Sequence, residues 1–316
     1  MVTTPPTSSV LPPAALLGDP GRRRREARVR AIFAAAAGIS IAVSLAIVIA
    51  LVGQAIGFLG KVDLSALWTD GWFPRRGRFD VVTIFTGSVL VSLVAMAVAT
   101  PLGLGAAMYL SEYASRRTRR ALKPTLEMLA SIPSVVLGFF ALTVLQPAIV
   151  QNILGSTSAF SLMAAGIGVG ILTVPLIGSV AEDALRAVPG SLREAAYGIG
   201  ARRRTVTLRV VFPAAVSGIV AALILGVSRA LGETMVVAIA AGGTGGSERT
   251  FDVLGPGQTM TGAIASLAYG SDQVKTATGL NAFDSLYFVG LLLFVLTFGL
   301  NIVSERYVRR VRKAYR

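Results

Sequence analysis

Residues 182–213 read EDALRAVPGSLREAAYGIGARRRTVTLRVVFP, a polar stretch lodged between two uncharged apolar runs. Pro189-Gly190 breaks the preceding run, and Ser191 followed three residues later by Glu194 has the form of a capping box, which predicts a short helix from about Leu192. Gly198 and Gly200 then oppose continuation, since glycine in a helix interior costs about 1 kcal/mol relative to alanine and readily takes the left-handed conformation that ends helices. From Ala201 to Phe212 four arginines, Arg202, Arg203, Arg204 and Arg209, interleave with Val206, Leu208, Val210 and Val211, a basic amphipathic approach to a membrane surface. Pro213 opens the next apolar run. A helix, a turn and a basic segment held between two spans form a surface built to meet another protein.

The flanking runs set the fold class. The chain has 316 residues, 53% hydrophobic and 15% charged, with mean hydropathy +0.69, against roughly 25% charge in soluble domains. It is therefore read as an all-α integral membrane protein, because only helices satisfy their own backbone hydrogen bonds across runs of this length. Cysteine and histidine are absent, which removes disulfides, thiolate chemistry, the usual general base and the commonest metal ligand. No cofactor or metal is expected. The net charge of +14 does not imply nucleic acid, since the basic residues sit beside apolar runs rather than in a soluble basic domain.

Six spans are expected, over 31–60, 81–111, 124–150, 160–180, 214–241 and 283–303. Residues 1–30 read as a disordered basic tail, 31–305 as a six-span transmembrane domain carrying the 182–213 loop, and 306–316 as a second basic tail. Pro101 predicts a bend in the second span, and Pro133 falls inside the third. Glu127 is expected to partner Lys123 at the interface. Gly166-x-x-x-Gly170 offers a close-packing face in the fourth span. Trp68, Trp72 and Phe73 are placed in an outer loop at headgroup level, and 260–268 is expected to form a short helix on the membrane surface. With both ends inside, 23 of the 30 Lys and Arg fall on the inner side and six outside, as the positive-inside rule requires.

The remaining basic residue, Arg229, lies within the fifth span, one turn before Glu233 on the same helix face. A charge in the bilayer centre costs about 2.5–3.5 kcal/mol and normally faces a bundle interior or a polar path. The pair is either a structural lock or a path for an anion, and guanidinium offers a planar fork matched to a tetrahedral oxyanion.

The order Glu194-Ala195-Ala196, three residues, Gly200, nine residues, then Val210-x-Phe212-Pro213 resembles the EAA loop of bacterial ABC importer permeases, with valine and phenylalanine where isoleucine and leucine are usual. Together with Ser131-Ile132-Pro133-Ser134-Val135-Val136, Glu182-Asp183-Ala184-Leu185-Arg186-Ala187-Val188-Pro189 and Arg229-Ala230-Leu231-Gly232-Glu233-Thr234-Met235, it is similar to the C-type permease family of phosphate-specific ABC transporters (PstC) over about residues 80–305. The resemblance implies a type I importer permease (MetI-like) of six helices in the bacterial cytoplasmic membrane, with a cytoplasmic coupling helix. It further implies a heterodimer with a PstA-type permease, an ATPase dimer (PstB type) docked at Glu194, Ala195, Ala196 and Gly200, a phosphate-binding protein (PstS type), and phosphate passage past Arg229 and Glu233.

The chain carries no G-x-x-x-x-G-K-[ST], so ATP hydrolysis must come from a partner. A membrane-embedded protease or transferase would need a nucleophile and a base within the bilayer; Ser131, Ser134 and Thr173 are available, without His or Cys to activate them. A permease for molybdate, sulfate or phosphonate is the closer alternative, because the arginine argument fits any oxyanion.

Overall fold

A computed structural model describes residues 20–68, 71–243, 246–269 and 281–314, with side chains over 24–306 of these. Residues 1–19 of the expected tail and 270–280 of the expected outer loop lie outside the described residues. Residues up to Leu51 form one unit and Val52–Arg316 a second.

Helix α1 spans Pro20–Leu59. It starts within the expected tail: proline suits the first helical position, arginine is a good helix former, and no breaker lies between Arg22 and Arg30. In the second unit, strands β1 (Trp72–Phe73) and β2 (Arg78–Phe79) make a small antiparallel hairpin. Phe58, at the end of α1, packs edge-on against Phe79 at 5.1 Å and stacks on Phe288 at 5.6 Å. Trp72, placed by the sequence at headgroup level, is wholly buried in this cluster, whereas Trp68 is exposed.

Helix α2 (Val81–Tyr113) begins at Asp80, whose Oδ1 accepts from the Val82 N–H at 3.1 Å and whose Oδ2 lies 3.0 Å from Arg249 Nη2. A carboxylate at a helix N-terminus is favoured by the macrodipole. Its main partner is α5 (Leu162–Arg186), and the contact is as close as the sequence implied. A Cβ at Gly166 would lie 2.6 Å from Val94 Cβ, and one at Gly170 would lie 2.9 Å from the Ala95 carbonyl.

Between them the chain departs from the expected third span. Residues 116–129 form a separate amphipathic helix, α3 (Arg116–Leu129), and the span itself is α4 (Ser134–Gln151). Pro133 is not inside a helix but caps this one, because a proline disfavours the helical conformation in the residue before it and lacks the N–H a helix interior needs.

The polar loop contains α6 (Gly190–Gly198). Helix α7 (Arg203–Ala214) meets α8 (Val216–Gly232) at 72°, just after Pro213, which removes a backbone donor at the bend. The fifth span does not run unbroken to 241. It stops at Gly232, Glu233 is extended with ψ 125°, and α9 (Met235–Ala240) resumes. Helix α10 (Met260–Tyr269) is not on the surface: Met260, Ala263, Ala265 and Leu267 are buried, and the Met260 N–H donates to Ser88 Oγ at 2.9 Å. A helix apolar on every side belongs in a core. Finally, α11 (Asp284–Ala314) continues through the expected tail after 305. Among the described residues, helices α1, α2, α4, α5 and α11 are long and apolar enough to cross a membrane, and the bent pair α7–α8 brings the number to six when it is counted as one broken span.

Candidate functional site

The short helix α6 starts two residues earlier than its capping box implied. Pro189, with ψ 138°, is the N-cap and makes no side-chain capping bond. Ser191 therefore lies inside the first turn, where the predicted box does not form. The C-terminal end follows the sequence closely. Gly200 has φ +81°, its N–H donates to the Tyr197 carbonyl at 2.9 Å, and the Ala201 N–H donates to the Ala196 carbonyl at 3.1 Å. This is a Schellman turn, which needs a left-handed residue at that position.

Ala196 is buried and packs with Leu185, Val188, Val206, Val211 and Ala215. Glu194, Ala195 and Tyr197 point away, and Ile199 is 87% exposed. One face of the helix is thus fixed to the bundle, and the other presents apolar and acidic groups of the kind found at protein contacts.

What holds α6 was not read from the sequence. Arg193 donates to the carbonyls of Val188 and Leu185 at 2.6 and 2.8 Å, and its Nη2 lies 2.9 Å from Oε1 of the buried Glu112. Arg203 donates to the Glu112 carbonyl and sits 4.9 Å over the Tyr113 ring. A second cluster forms around Glu182, which is fully buried. Lys123 Nζ is 2.6 Å from its Oε2 and 3.0 Å from Asp183 Oδ1, while Arg119 and Arg186 stand 3.6 and 3.8 Å from Oε1. Lys123 therefore pairs with the loop rather than with Glu127. Buried carboxylates must be paired, and stripping one partner typically costs about 3–5 kcal/mol. The one available signal was Glu112 itself, a carboxylate closing an apolar run.

The hydrogen bond to Glu182 raises the Lys123 pKa above the ordinary lysine value, against burial, which lowers it, and Asp183 adds to the rise. With the folded value raised, the stabilisation is complete below 10.5 and is lost only as pH climbs through the raised value.

The second pair is at the C-terminal end of α8, with Glu233 just beyond the helix. Arg229 and Glu233 are brought together, but loosely: Nη2 to Oε2 is 3.8 Å, with Arg229 49% exposed and Glu233 7%. Glu233 is held at the helix break, where its Oε1 accepts from the Met235 N–H at 3.3 Å and its carbonyl accepts from Thr261 Oγ1 at 2.8 Å. The Glu233 carbonyl, exposed by the break, is therefore satisfied. The guanidinium has no other partner among the described residues, so most of its donors are free for a ligand. Thirteen residues of helix separate Val216 from Arg229, about 20 Å at 1.5 Å per residue, so the pair stands far along the span from the α6 loop.

A bundle of membrane-crossing helices with a charge pair at a broken span, and a rigid helix offered on its polar loop, defines a transport permease subunit rather than an enzyme. Residues 99–313 match the model of the binding-protein-dependent transport system inner membrane component family, and the chain belongs to that family. It is 35% identical over 92% of its length to a probable ABC transporter permease protein, YqgH, of Bacillus subtilis, covering 93% of that protein. It is 33% identical over 91% to the phosphate transport system permease protein PstC of Mesorhizobium japonicum, covering 92% of it. Among solved structures, it resembles a chain in the crystal structure of a bacterial ABC transporter involved in the import of the acidic polysaccharide alginate. The TM-score is 0.62 at 14% identity, over 91% of this chain and 98% of that one, a likeness of fold. The chain is thus a multi-pass inner membrane component.

Proposed function

We propose that the chain is the C-type permease subunit of an ATP-driven importer of inorganic phosphate. In this reading it pairs with a PstA-type permease, receives phosphate from a PstS-type binding protein, and couples to a dimer of PstB-type ATPases through α6. The observation that carries the substrate class is Arg229. A half-exposed guanidinium inside a span, held only at 3.8 Å by its neighbour, retains the donors that a tetrahedral oxyanion needs. That the relatives named above include a phosphate transport permease supports phosphate within that class. Counter-transport by the reconstituted complex tests it: labelled phosphate should exchange with unlabelled phosphate and not with sulfate or molybdate, and equal exchange with sulfate would replace phosphate by a broader oxyanion.

The same reading sets both termini and α6 in the cytoplasm. In a chain with no cysteine of its own, Ser191→Cys should resist an impermeant thiol reagent in intact cells, whereas Ser65→Cys, exposed in the loop after α1, should react. Labelling at position 191 from outside would overturn the orientation.

A further inference from the structure

Helix α3 lies between two spans, two residues from α2 and four from α4, so it is confined to the membrane boundary. Its three sides differ. Arg119 and Lys123, one turn apart, form the edge that docks: Arg119 donates to the carbonyl of Ser111 at 2.8 Å, and Lys123 holds Glu182 and Asp183. On one flank of that edge, Leu122, Leu126 and Leu129 repeat at helical spacing, with Leu122 40% and Leu129 44% exposed. On the other flank Arg116, Arg117 and Arg120 are exposed and make no ion pair among the described residues. No residue of α3 is buried.

An edge bound to the bundle, an apolar flank and a basic flank describe a helix lying in the plane of the lipid headgroups. We propose that α3 is an interfacial helix that binds anionic phospholipid: Leu122, Leu126 and Leu129 enter the acyl boundary, and Arg116, Arg117 and Arg120 hold headgroup phosphates. Charge complementarity selects the occupant. A zwitterionic surface offers three clustered guanidiniums no net attraction, whereas an anionic one attracts each of them. Because Lys123 on the same helix is bonded to Glu182 and Asp183 in the last turns of α5, which leads into α6, lipid bound here steadies the base of the docking helix. The inference rests on α3 alone and holds whichever solute the complex carries.

The test uses the intact permease complex in nanodiscs of phosphatidylcholine with increasing phosphatidylglycerol. Native mass spectrometry should find phosphatidylglycerol retained by the complex, with retention falling about tenfold or more in R116Q/R117Q/R120Q. Unchanged retention in that variant would overturn the proposal. A second arm places a reporter on the apolar flank in an otherwise native helix. The fluorescence that Leu122→Trp adds over the unsubstituted complex, which carries Trp68 and Trp72, should be quenched by phospholipids brominated near the carbonyl end of the chain, and more so as the phosphatidylglycerol fraction rises. Fluorescence shielded from the brominated chains would mean that another subunit covers the helix, and quenching indifferent to phosphatidylglycerol would remove the anionic preference; either result would sink it.

Discussion

Arg229→Gln is expected to reduce phosphate uptake about 100-fold or more in a complex that still assembles, at some cost in thermal stability. Both halves follow from geometry. The pair with Glu233 is long, at 3.8 Å, and the buried Glu233 keeps the Met235 N–H as a partner, so loss of Arg229 costs the fold less than the roughly 3–5 kcal/mol of stripping a closely paired buried carboxylate. The fork, in contrast, would supply two charge-assisted hydrogen bonds to an oxyanion at about 1.5–3 kcal/mol each. Arg229→Lys, a point charge without the fork, should recover only part of the uptake. Glu233 provides the control, because it is buried and fastened to the Met235 N–H. If Arg229 served only to neutralise it, removing both charges in Arg229→Gln with Glu233→Gln would relieve the strain and restore transport. Labelled phosphate uptake measured beside complex yield decides: near-native uptake by the double variant ends the claim that Arg229 meets the substrate.

Gly200→Val should abolish substrate-stimulated ATPase activity of the purified complex. Gly200 sits at φ +81° with open space around the position of a Cβ, so substitution acts through the backbone alone. An ordinary side chain in that conformation costs about 1–2 kcal/mol, and a β-branched one is a genuine outlier there. The two turn hydrogen bonds from Gly200 and Ala201 then compete with that strain, and the end of α6 shifts where Tyr197 and Ile199 are presented. The open space makes the series discriminating: Gly200→Asn, which tolerates the left-handed region, should stay near wild type, Gly200→Ala should fall between, and Gly200→Val should be inactive while still assembled. Full stimulation in Gly200→Val would remove the turn from the coupling argument.

The features legible in the sequence were those set by residues close together in the chain. Gly200 announced its turn because a left-handed position has a strong residue preference. Gly166 and Gly170 announced a close approach because only small residues permit one, although their partner, the Val91–Val94 turn of α2 and Ala95, could not be named. Local signals misled where two of them competed. Ser191 and Glu194 have the spacing of a capping box, yet Pro189 starts the helix first. Pro133 lies in an apolar run that reads as one span, yet its backbone constraint divides that run into an interfacial helix and a shorter span.

Sequence alone determined that the chain crosses a membrane, how many apolar runs it has, where its charges cluster, and which polar loop carries a short helix ended by a left-handed glycine. Each of these depends on composition, on periodicity or on a one-residue conformational preference. Tertiary structure decided which charges hold that loop. Glu112 with Arg193, and Lys123 with Glu182, are joined across 81 and 59 residues of chain, and no local pattern specifies a pairing at such separation. It also decided that α10 folds inward. An apolar ten-residue helix satisfies the same sequence signal on a membrane surface or in a core, and only the groove between α2, α9 and α11, with Ser88 waiting to accept the Met260 N–H, makes the buried position lower in free energy.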